Sequence, residues 1–416
     1  MTNPAGDLKI AEIKWRQSDV SDTLARVEPL LGEIGTSEPF DISFTDTLGI
    51  PVHIALRQRQ LGAEMFRGVK EWGELEFLSI HKGKGVTAAQ SRLSCMVEAV
   101  ERYCGANAPL EGRTEIATHA RLGDRAITPT DFFLPENVDF SSDKPLTWFA
   151  DRDLVTGKEL LAPIDFVLID FPDSAYPFDG FENMRLGFFL TNGLTAGETI
   201  DDALVSGILE TVERDLQYRL AKELEPLPVE LILADDPHFG AYYDLFQSIG
   251  LTLRAYYCDQ IDGVYTGIAA SFDPYCRTLF QGTAAFPDLR IALQQAILEL
   301  AQQRAWVFFN FRRTRRQLEP IVRYIKEKVH PSAYATSVPA DHWTHRCPGP
   351  VSLESLGEPY PSDRDSVLER LSRKHRVVAY DLTCPKLSFP VVRVMTSGLK
   401  NGYFNYNPVV SFSADS

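Results

Sequence analysis

Two stretches of the sequence carry the same set of hydroxyl, acidic and basic side chains, 112 residues apart. Each set has the order S-x-x-x-E-x-x-E-R. Helical positions i, i+4 and i+7 share one face, so the serine and both glutamates of a set lie together. Two carboxylates three residues apart repel each other, and a divalent cation converts that repulsion into affinity. The two sets are Ser94, Glu98, Glu101 and Arg102, and Ser206, Glu210, Glu213 and Arg214.

The duplicated glutamates predict a Mg²⁺ site. Mg²⁺ prefers a few carboxylates together with phosphate oxygens and water, so two such helices facing each other can hold metal against a triphosphate. We therefore expect Mg²⁺ ligands at Glu98, Glu101, Glu210 and Glu213. A plainer interpretation exists for one copy alone, because Glu and Arg at i and i+4 are common on solvated helix faces. The repetition of the whole set favours the metal site.

The positions around both sets predict two amphipathic helices, at about 87–104 and 199–220. Seven of the 18 positions from 85 to 102 recur at the offset of 112. Thr87 precedes Gln90 by three residues and Thr199 precedes Asp202 likewise, and both spacings are typical of a helix N-cap. Apolar residues recur at helical spacing and indicate one buried stripe on each helix. They are Leu93, Met96, Val97, Val100 and Cys104 in the first, and Leu204, Val205, Ile208, Leu209, Val212 and Leu216 in the second.

A basic turn, His81-Lys82-Gly83-Lys84-Gly85, leads into the first predicted helix. Free N–H groups at a helix start and the Lys84 ammonium both favour a phosphate. The G-x-x-x-x-G-K-[ST] loop does not occur in the sequence, and an ordinary surface turn is the alternative interpretation.

A third helix is predicted at about 289–310, after an apolar strand-like stretch. It carries Glu299, Gln302 and Arg304 in the order E-x-x-Q-x-R. Its apolar positions are expected to be buried, with the aromatic residues in the core rather than stacked on a nucleotide base. These positions are Ile297, Leu298, Ala301, Trp306, Val307, Phe308 and Phe309.

Length and charge limit the classes of function. At 416 residues the chain is expected to form two lobes or one large α/β unit. The net charge of −15 argues against a general binder of nucleic acid or of anionic membranes, since both need a basic surface. A cationic and apolar leader is not apparent, nor is an apolar run of about 18 residues, so a cytoplasmic location is expected.

Cysteine and histidine spacing gives little support to a second metal site. The six cysteines contain no C-x-x-C pair, so a zinc knuckle or disulfide scaffold is not predicted. His342 and His345 are three residues apart, but Cys347-Pro348-Gly349-Pro350 follows directly and favours a loop.

Four motifs, taken in order along the chain, resemble those of the YcaO family. They are G-K-G-x-T, the first E-x-x-E-R, the stretch Asn192-Gly193-Leu194-Thr195-Ala196-Gly197 with the second E-x-x-E-R, and E-x-x-Q-x-R. The resemblance covers roughly 46–400. The stretch 46–52 resembles the opening strand of that family and 389–394 its closing strand. The resemblance implies a YcaO-type α/β fold with an internal pseudo-two-fold repeat and nucleotide between the repeated helices. It places a domain at 46–416 after an N-terminal extension at 1–45.

The resemblance also implies ATP and Mg²⁺ as cofactors. By motif match, the serines and glutamates of both sets hold Mg²⁺ and ATP, Gln302 belongs to the same site, and Lys84, Arg102 and Arg304 hold phosphates. Family members phosphorylate a backbone amide oxygen of a ribosomally made peptide. A Cys, Ser or Thr side chain then gives an azoline, sulfide gives a thioamide, and an amine gives an amidine.

The C-terminal residues direct the choice among products. The sequence ends at Ser416 without the P-x-P-x-P tail of many azoline formers, which favours thioamide or amidine formation. A precursor peptide and a separate partner are expected, either TfuA-like or an E1-like, leader-binding protein, and a homodimer is one expected assembly. The alternatives are a non-catalytic accessory factor, as in ribosomal protein thiomethylation, and a scaffold whose repeated helices merely pair.

Overall fold

The computed structural model describes residues 12–13, 19–58, 78–134, 138–169, 191–222, 226–261, 263–274, 278–317 and 347–400. Within these ranges the chain mixes helices and strands, which confirms the predicted α/β class. The helices are α1 (Val20–Glu33), α2 (Ala88–Asn107), α3 (His119–Leu122), α4 (Ile164–Val167), α5 (Ile200–Lys222), α6 (Phe239–Ser248), α7 (Leu289–Gln317) and α8 (Arg364–Ser372).

The strands are short and arranged mostly in antiparallel pairs. They are β1 (Phe40–Asp41), β2 (Val52–Gln58), β3 (Leu78–Lys84), β4 (Thr114–Thr118), β5 (Pro145–Arg152), β6 (Glu159–Pro163), β7 (Leu194–Ala196), β8 (Val229–Ile232), β9 (Arg254–Ile261), β10 (Val264–Asp273), β11 (Thr278–Phe286), β12 (Val351–Ser352), β13 (Val377–Asp381) and β14 (Val391–Thr396).

The strands described form four sheets, and three of them end in a strand that leads into a motif helix. The sheet orders are β1-β2-β3, β13-β14-β7, β4-β5-β6 and β11-β10-β9-β8-β12. Among these pairs, β8 with β12 is parallel. The edge strands β3, β7 and β11 lead into α2, α5 and α7 respectively. Each motif helix therefore begins at the border of a sheet, directly after an edge strand.

Strand β14 is buried on both faces and separates two hydrophobic cores. Val392 and Val394 belong to the core formed with α5, α6, α7 and β9 to β11. Val391 and Met395 belong to the core formed with α1, α2, β5 and β6. Successive strand residues point to opposite faces, so this alternation gives the near-continuous apolar run of β14. Arg393 interrupts that run.

Both predicted motif helices form, with the predicted caps. Thr87 and Gln90 make a capping box at the start of α2. Thr199 and Asp202 exchange the corresponding hydrogen bonds at the start of α5, with the Asp202 amide 3.1 Å from Thr199 Oγ1. The predicted apolar stripes are buried, except that Val97 is half-buried. On α7, the expected core residues Trp306, Val307, Phe308 and Phe309 are also half-buried rather than fully buried.

The N-terminal part departs from the expected outline. Within the predicted extension, α1 places Val27, Leu31 and Ile34 in the same core as α2. The expected opening strand at 46–52 begins only at Val52, because Gly49 adopts the left-handed conformation (φ 64°) and a proline follows at 51. The domain boundary at residue 46 stays a prediction.

Two predictions concern residues outside those described: the loop assignment of His342 and His345, and the role of the C-terminal residues up to Ser416. In the described part of the chain, no helix is long and apolar enough to cross a membrane.

Candidate active site

The first E-x-x-E-R set forms a compact acid–base group at the junction of β3 and α2. Arg102 Nε lies 3.7 Å from Glu98 Oε1 and 3.5 Å from Glu101 Oε1. The Lys82 backbone amide donates to Glu98 Oε2 at 2.8 Å. The glutamates therefore point toward the sheet border rather than into open solvent. Ser94 is half-buried one turn earlier on the same helix.

The second set repeats this arrangement between β7 and α5. Arg214 lies 3.2 Å from Glu210 Oε1 and 2.6 Å from Glu213 Oε1. The Gly193 amide donates to Glu210 Oε2 at 3.2 Å. Thr283 of β11 adds a hydrogen bond of 2.7 Å to Glu213. Ser206 is again half-buried one turn before Glu210.

The glycines that precede the two helices lie against equivalent backbone amides. A Cβ on Gly85 would lie 2.5 Å from the Ser91 amide, and one on Gly197 would lie 2.4 Å from the Ala203 amide. Ser91 and Ala203 are both six residues beyond their glycine. Only glycine allows such a close approach of backbone to helix start. Matching contacts thus accompany the matching sequence, while the pseudo-two-fold relation of the copies stays a prediction.

Burial and mutual repulsion raise the pKa values of two of the glutamates. Burial raises the pKa of Glu101 to about 8, with Arg102 opposing and Glu210 and Glu98 adding to the rise. Because the charge of Glu210 acts on Glu101, the two copies lie within electrostatic reach of each other. Burial likewise raises the pKa of Glu213 to about 7, with Arg214 opposing it. Crowded, buried carboxylates of this kind are stabilised by a divalent cation.

The third motif joins the same region through Lys84 and Glu299. Lys84 Nζ lies 2.9 Å from Glu299 Oε2. Burial alone would raise the pKa of Glu299, but the charges of Lys84 and Arg214 hold that pKa below its ordinary value. The charge of Glu299 in turn raises the pKa of Glu213. Gln302, the next motif residue, is half-buried on α7.

Arg304 does not fit the expected role of a phosphate ligand. Its guanidinium donates from Nε and Nη2 to Asp46 at 3.0 Å each, and from Nη1 to Asp273 at 3.1 Å. The side chain is only 2% exposed. A buried arginine held by two carboxylates is a structural ion pair, because releasing it leaves both acids without compensation. We therefore leave Arg304 out of the proposed nucleotide site.

Arg393 was missed by the sequence analysis, although it lies among the motif carboxylates. It is 1% exposed on β14. Burial lowers the pKa of Arg393 to about 9, and the charges of Glu210 and Glu101 oppose that decrease. The residue stays cationic at neutral pH. Its signal in the sequence is a single arginine inside the apolar stretch Val391-Val392-Arg393-Val394.

The side chains present fit a Mg²⁺-nucleotide. Among the described residues, no group of three or more His, Cys, Asp or Glu side chains is arranged to hold a metal ion unaided. Mg²⁺ does not need such a group, since phosphate oxygens and water complete its coordination. Carboxylates with raised pKa values suit the metal, and Lys84, Arg102 and Arg214 suit the phosphates.

Comparison with known proteins finds relatives in several microorganisms. An uncharacterized protein of Methanothermobacter thermautotrophicus is 27% identical over 392 residues, 91% of this chain and 94% of the relative. An uncharacterized protein in the tfuA 3′ region of Rhizobium leguminosarum is 26% identical and covers 57% of this chain and 52% of its own. The ribosomal protein S12 methylthiotransferase accessory factor YcaO of Escherichia coli is 31% identical over 29% of this chain and 21% of its own.

Two solved structures share the fold. The YcaO protein of Methanopyrus kandleri, solved with AMPPCP and Mg²⁺, matches with a TM-score of 0.66 and 25% identity over 93% of this chain and 92% of its own. A heterocyclase in complex with substrate and cofactor matches with a TM-score of 0.70 and 19% identity, over 94% of this chain and 55% of its own. The second likeness concerns the fold alone.

A family model, described as YcaO cyclodehydratase, ATP- and Mg²⁺-binding, matches residues 82–400. That range contains every residue of the three motifs and also Arg393. ATP and Mg²⁺ are the cofactors of this family, in agreement with the acidic and basic groups found at the sheet borders. The chain belongs to the YcaO family.

Proposed function

We propose that this chain uses ATP and Mg²⁺ to phosphorylate a backbone amide oxygen of a ribosomally made peptide or protein, after which a nucleophile replaces that oxygen. The observation that carries the proposal is the pair of E-x-x-E-R helices. In each copy an arginine lies between two glutamates, and a backbone amide fixes the first glutamate. The Methanopyrus relative of the same fold binds AMPPCP and Mg²⁺.

The proposed nucleotide site draws on all three motif helices. Lys84, Arg102 and Arg214 neutralise phosphate charge. The metal ligands are Glu98, Glu101, Glu210 and Glu213, and Ser94, Ser206 and Gln302 complete the polar lining of the site. When bound, Mg²⁺ polarises the phosphates and the chain orients them. Preorganised charges of this kind lower the barrier for phosphoryl transfer without a covalent role for the protein.

Phosphorylation suits this substrate because an amide oxygen is a poor leaving group. Transfer of the γ-phosphoryl group of ATP to that oxygen releases ADP and makes the amide carbon electrophilic. Attack by the nucleophile then expels phosphate, which is stable as an anion. The chain supplies position and charge for the first step, and orientation alone accounts for a large part of such rate enhancements.

Thioamide or amidine formation is the favoured chemistry, and azoline formation is the alternative. The relative encoded in a tfuA 3′ region supports a sulfur-delivering, TfuA-like partner and therefore a thioamide. The heterocyclase of the same fold supports azoline formation. The three products differ in the nucleophile that attacks, whereas the ATP-dependent step is the same for all of them.

The test is the mass of a candidate peptide after incubation with the chain, ATP, Mg²⁺, sulfide and the partner protein. Exchange of amide oxygen for sulfur adds about 16 Da, whereas ring closure with loss of water removes about 18 Da, each at the cost of one ATP. If the loss of mass consumes a cysteine or serine side chain, the product is an azoline. If it consumes an amine, the product is a ring-closing amidine. ATP hydrolysis without any peptide mass change would contradict the proposed function.

A second candidate is an accessory factor that binds nucleotide without modifying a peptide. It is favoured by the match to the ribosomal protein S12 methylthiotransferase accessory factor, although that match covers 29% of this chain. An accessory factor changes the rate of a methylthiotransferase but transfers no phosphate to a peptide. ATP labelled with ³²P at the γ-phosphate distinguishes the enzyme from the accessory factor. Only the enzyme transfers the label to the peptide, so labelled phosphate is released only when peptide is present.

A further inference from the structure

One peptide group stands between the buried Arg393 and the motif residue Glu210. Arg393 Nη1 donates to the carbonyl of Asn192 at 2.7 Å. The amide of Gly193 belongs to the same peptide group and donates to Glu210 Oε2 at 3.2 Å. A cation on the carbonyl polarises the peptide and strengthens the hydrogen bond made by its N–H. Arg393 therefore acts on Glu210 without touching it.

Strand β14 holds this peptide group through Arg393 and also holds the peptide group that follows it. The Val394 amide donates to the Gly193 carbonyl at 2.7 Å, next to the Arg393 contact with Asn192. Gly193 adopts the left-handed conformation (φ 74°), and a Cβ there would lie 2.1 Å from the Val394 carbonyl oxygen. Arg393 Nε also donates to the Val167 carbonyl at 2.8 Å. The peptide thus has one orientation, with its N–H directed at Glu210.

The first copy has an apolar residue, Ile54, at the equivalent position. Lys82 and Leu194 correspond at the repeat offset of 112. Lys82 pairs with Ile54 in the first ladder, whereas Leu194 pairs with Arg393 in the second. Ile54 and Arg393 are both 1% exposed. A buried guanidinium is costly where an isoleucine fits, so its presence calls for a role specific to the second copy.

We infer that Arg393 is a positioning residue of the nucleotide site, which orients Glu210 for Mg²⁺ through the Asn192–Gly193 peptide. The inference rests on the proposed function, because it assigns Glu210 to the metal. Residues that orient a metal ligand typically change metal affinity by about ten- to a hundredfold when they are replaced. Arg393 thereby adds a part of the site that none of the three motifs contains.

The experiment compares Arg393→Gln with Thr396→Val in calorimetric titrations of ATP, with Mg²⁺ and with EDTA. Thr396 lies on the same strand and makes a buried 2.9 Å hydrogen bond to Thr211. The Gln variant should weaken Mg²⁺-dependent ATP binding roughly ten- to a hundredfold and leave binding in EDTA within about twofold. The Val variant should change neither. Arg393→Lys, which keeps the charge and one donor, should lie between the Gln variant and the wild type.

The outcomes separate the inference from the proposed function. Wild-type protein that binds no Mg²⁺-ATP overturns both. Wild-type binding that Arg393→Gln leaves within about twofold overturns the inference alone, since outer-shell losses are larger than that. If Arg393→Gln weakens ATP binding equally with Mg²⁺ and with EDTA, Arg393 contributes to general stability, and the inference is likewise overturned. If Arg393→Gln does not fold, Arg393→Lys with wild-type Mg²⁺ dependence is the contradicting result.

Discussion

The two E-x-x-E-R copies place their first glutamate in the same way but support it differently. In the first copy the Lys82 amide holds Glu98, and the carbonyl of the same peptide group, on His81, accepts the Cys95 thiol at 3.4 Å. In the second copy the corresponding carbonyl accepts the Arg393 guanidinium. A thiol is a weak donor and a guanidinium is a strong one. The carboxylates are thus repeated, whereas the groups that orient them are not.

The second glutamates differ in the same manner. Glu101 lies close to like charges, those of Glu210 and Glu98, which add to the increase of its pKa by burial. Glu213 also has a like charge nearby, that of Glu299, but it accepts hydrogen bonds from Thr283 and Gln217. The first copy therefore has the greater electrostatic demand for a cation, and the second is already better satisfied by the protein.

The largest expected effect follows from removing one carboxylate in each copy. Glu98→Gln and Glu210→Gln should each abolish Mg²⁺-dependent ATP turnover, because a neutral amide neither balances the cation nor binds Mg²⁺ as strongly. Folding should be retained, since Gln keeps the acceptor used by the backbone amide. The measurements are ATP turnover and Mg²⁺-dependent ATP affinity.

Glu369→Gln is the matched control for these variants. Glu369 and Arg373 form an i, i+4 pair of 3.0 Å at the C-terminal end of α8, but both side chains are more than half exposed. The control should leave ATP turnover unchanged. ATP affinity that is unaltered in both motif variants would return Glu98 and Glu210 to the class of solvated helix pairs.

The repeated side chains could be predicted from the sequence, but the residues that contact them could not. Identity at a fixed offset finds Glu98 and Glu210, and local spacing finds the Thr87 cap, because each depends on residues near in sequence. The pairing of Arg304 with Asp46 joins residues 258 positions apart. No local pattern separates such a buried ion pair from a phosphate ligand in a motif. Arg393 was missed for the same reason, since its contacts depend on the register of β14 against β7.

The next effect tests whether the close backbone approach is equally strict in the two copies. Gly85→Ala and Gly197→Ala should each lower the free energy of unfolding by about 3 kcal/mol, because the added Cβ meets a backbone amide that cannot move freely. The distances to be relieved are 2.5 and 2.4 Å. Urea denaturation measures both losses.

Gly32→Ala on α1 is the corresponding control. A Cβ at Gly32 meets no atom within 4 Å. That variant should raise stability by about 0.5 to 1 kcal/mol, since alanine is the better helix former. A loss at Gly85 with none at Gly197 would show that the second copy tolerates a shift of α5 that the first does not.

A smaller effect is the stabilisation by ligand. ATP with Mg²⁺ at about a hundredfold its dissociation constant should stabilise the fold by about 2.7 kcal/mol through mass action. Thermal unfolding with and without Mg²⁺ measures it. The shift should disappear in Glu98→Gln and in Glu210→Gln. A shift that is lost in only one variant would mean that one copy binds the metal and the other has a structural role.

The smallest effect concerns an acid–base pair outside both copies. Asp236 Oδ2 lies 2.6 Å from Arg290, and Asp236 Oδ1 accepts the His238 and Phe239 amides at the start of α6. Although burial acts to raise the pKa of Asp236, hydrogen bonds from Arg290 and these amides hold that pKa below its ordinary value of 3.8. A lowered pKa means stability that is present above pH 4 or so and is lost as the pH falls through the folded-state pKa.

Asp236→Asn keeps an oxygen for the two amides and removes only the charge. The variant should cost about 0.5 to 1 kcal/mol at pH 7, because the Arg290 side chain is 39% exposed and solvent weakens the pair. The difference from wild type in urea denaturation should shrink as the pH falls through the folded-state pKa of Asp236, because the carboxyl group then becomes protonated in the wild-type protein as well. The Mg²⁺-ATP stabilisation should be unchanged, in contrast to the motif variants. A deficit that keeps the same size as the pH falls through that pKa would assign the loss to packing. A reduced ATP effect would extend the nucleotide site beyond the two copies to α6.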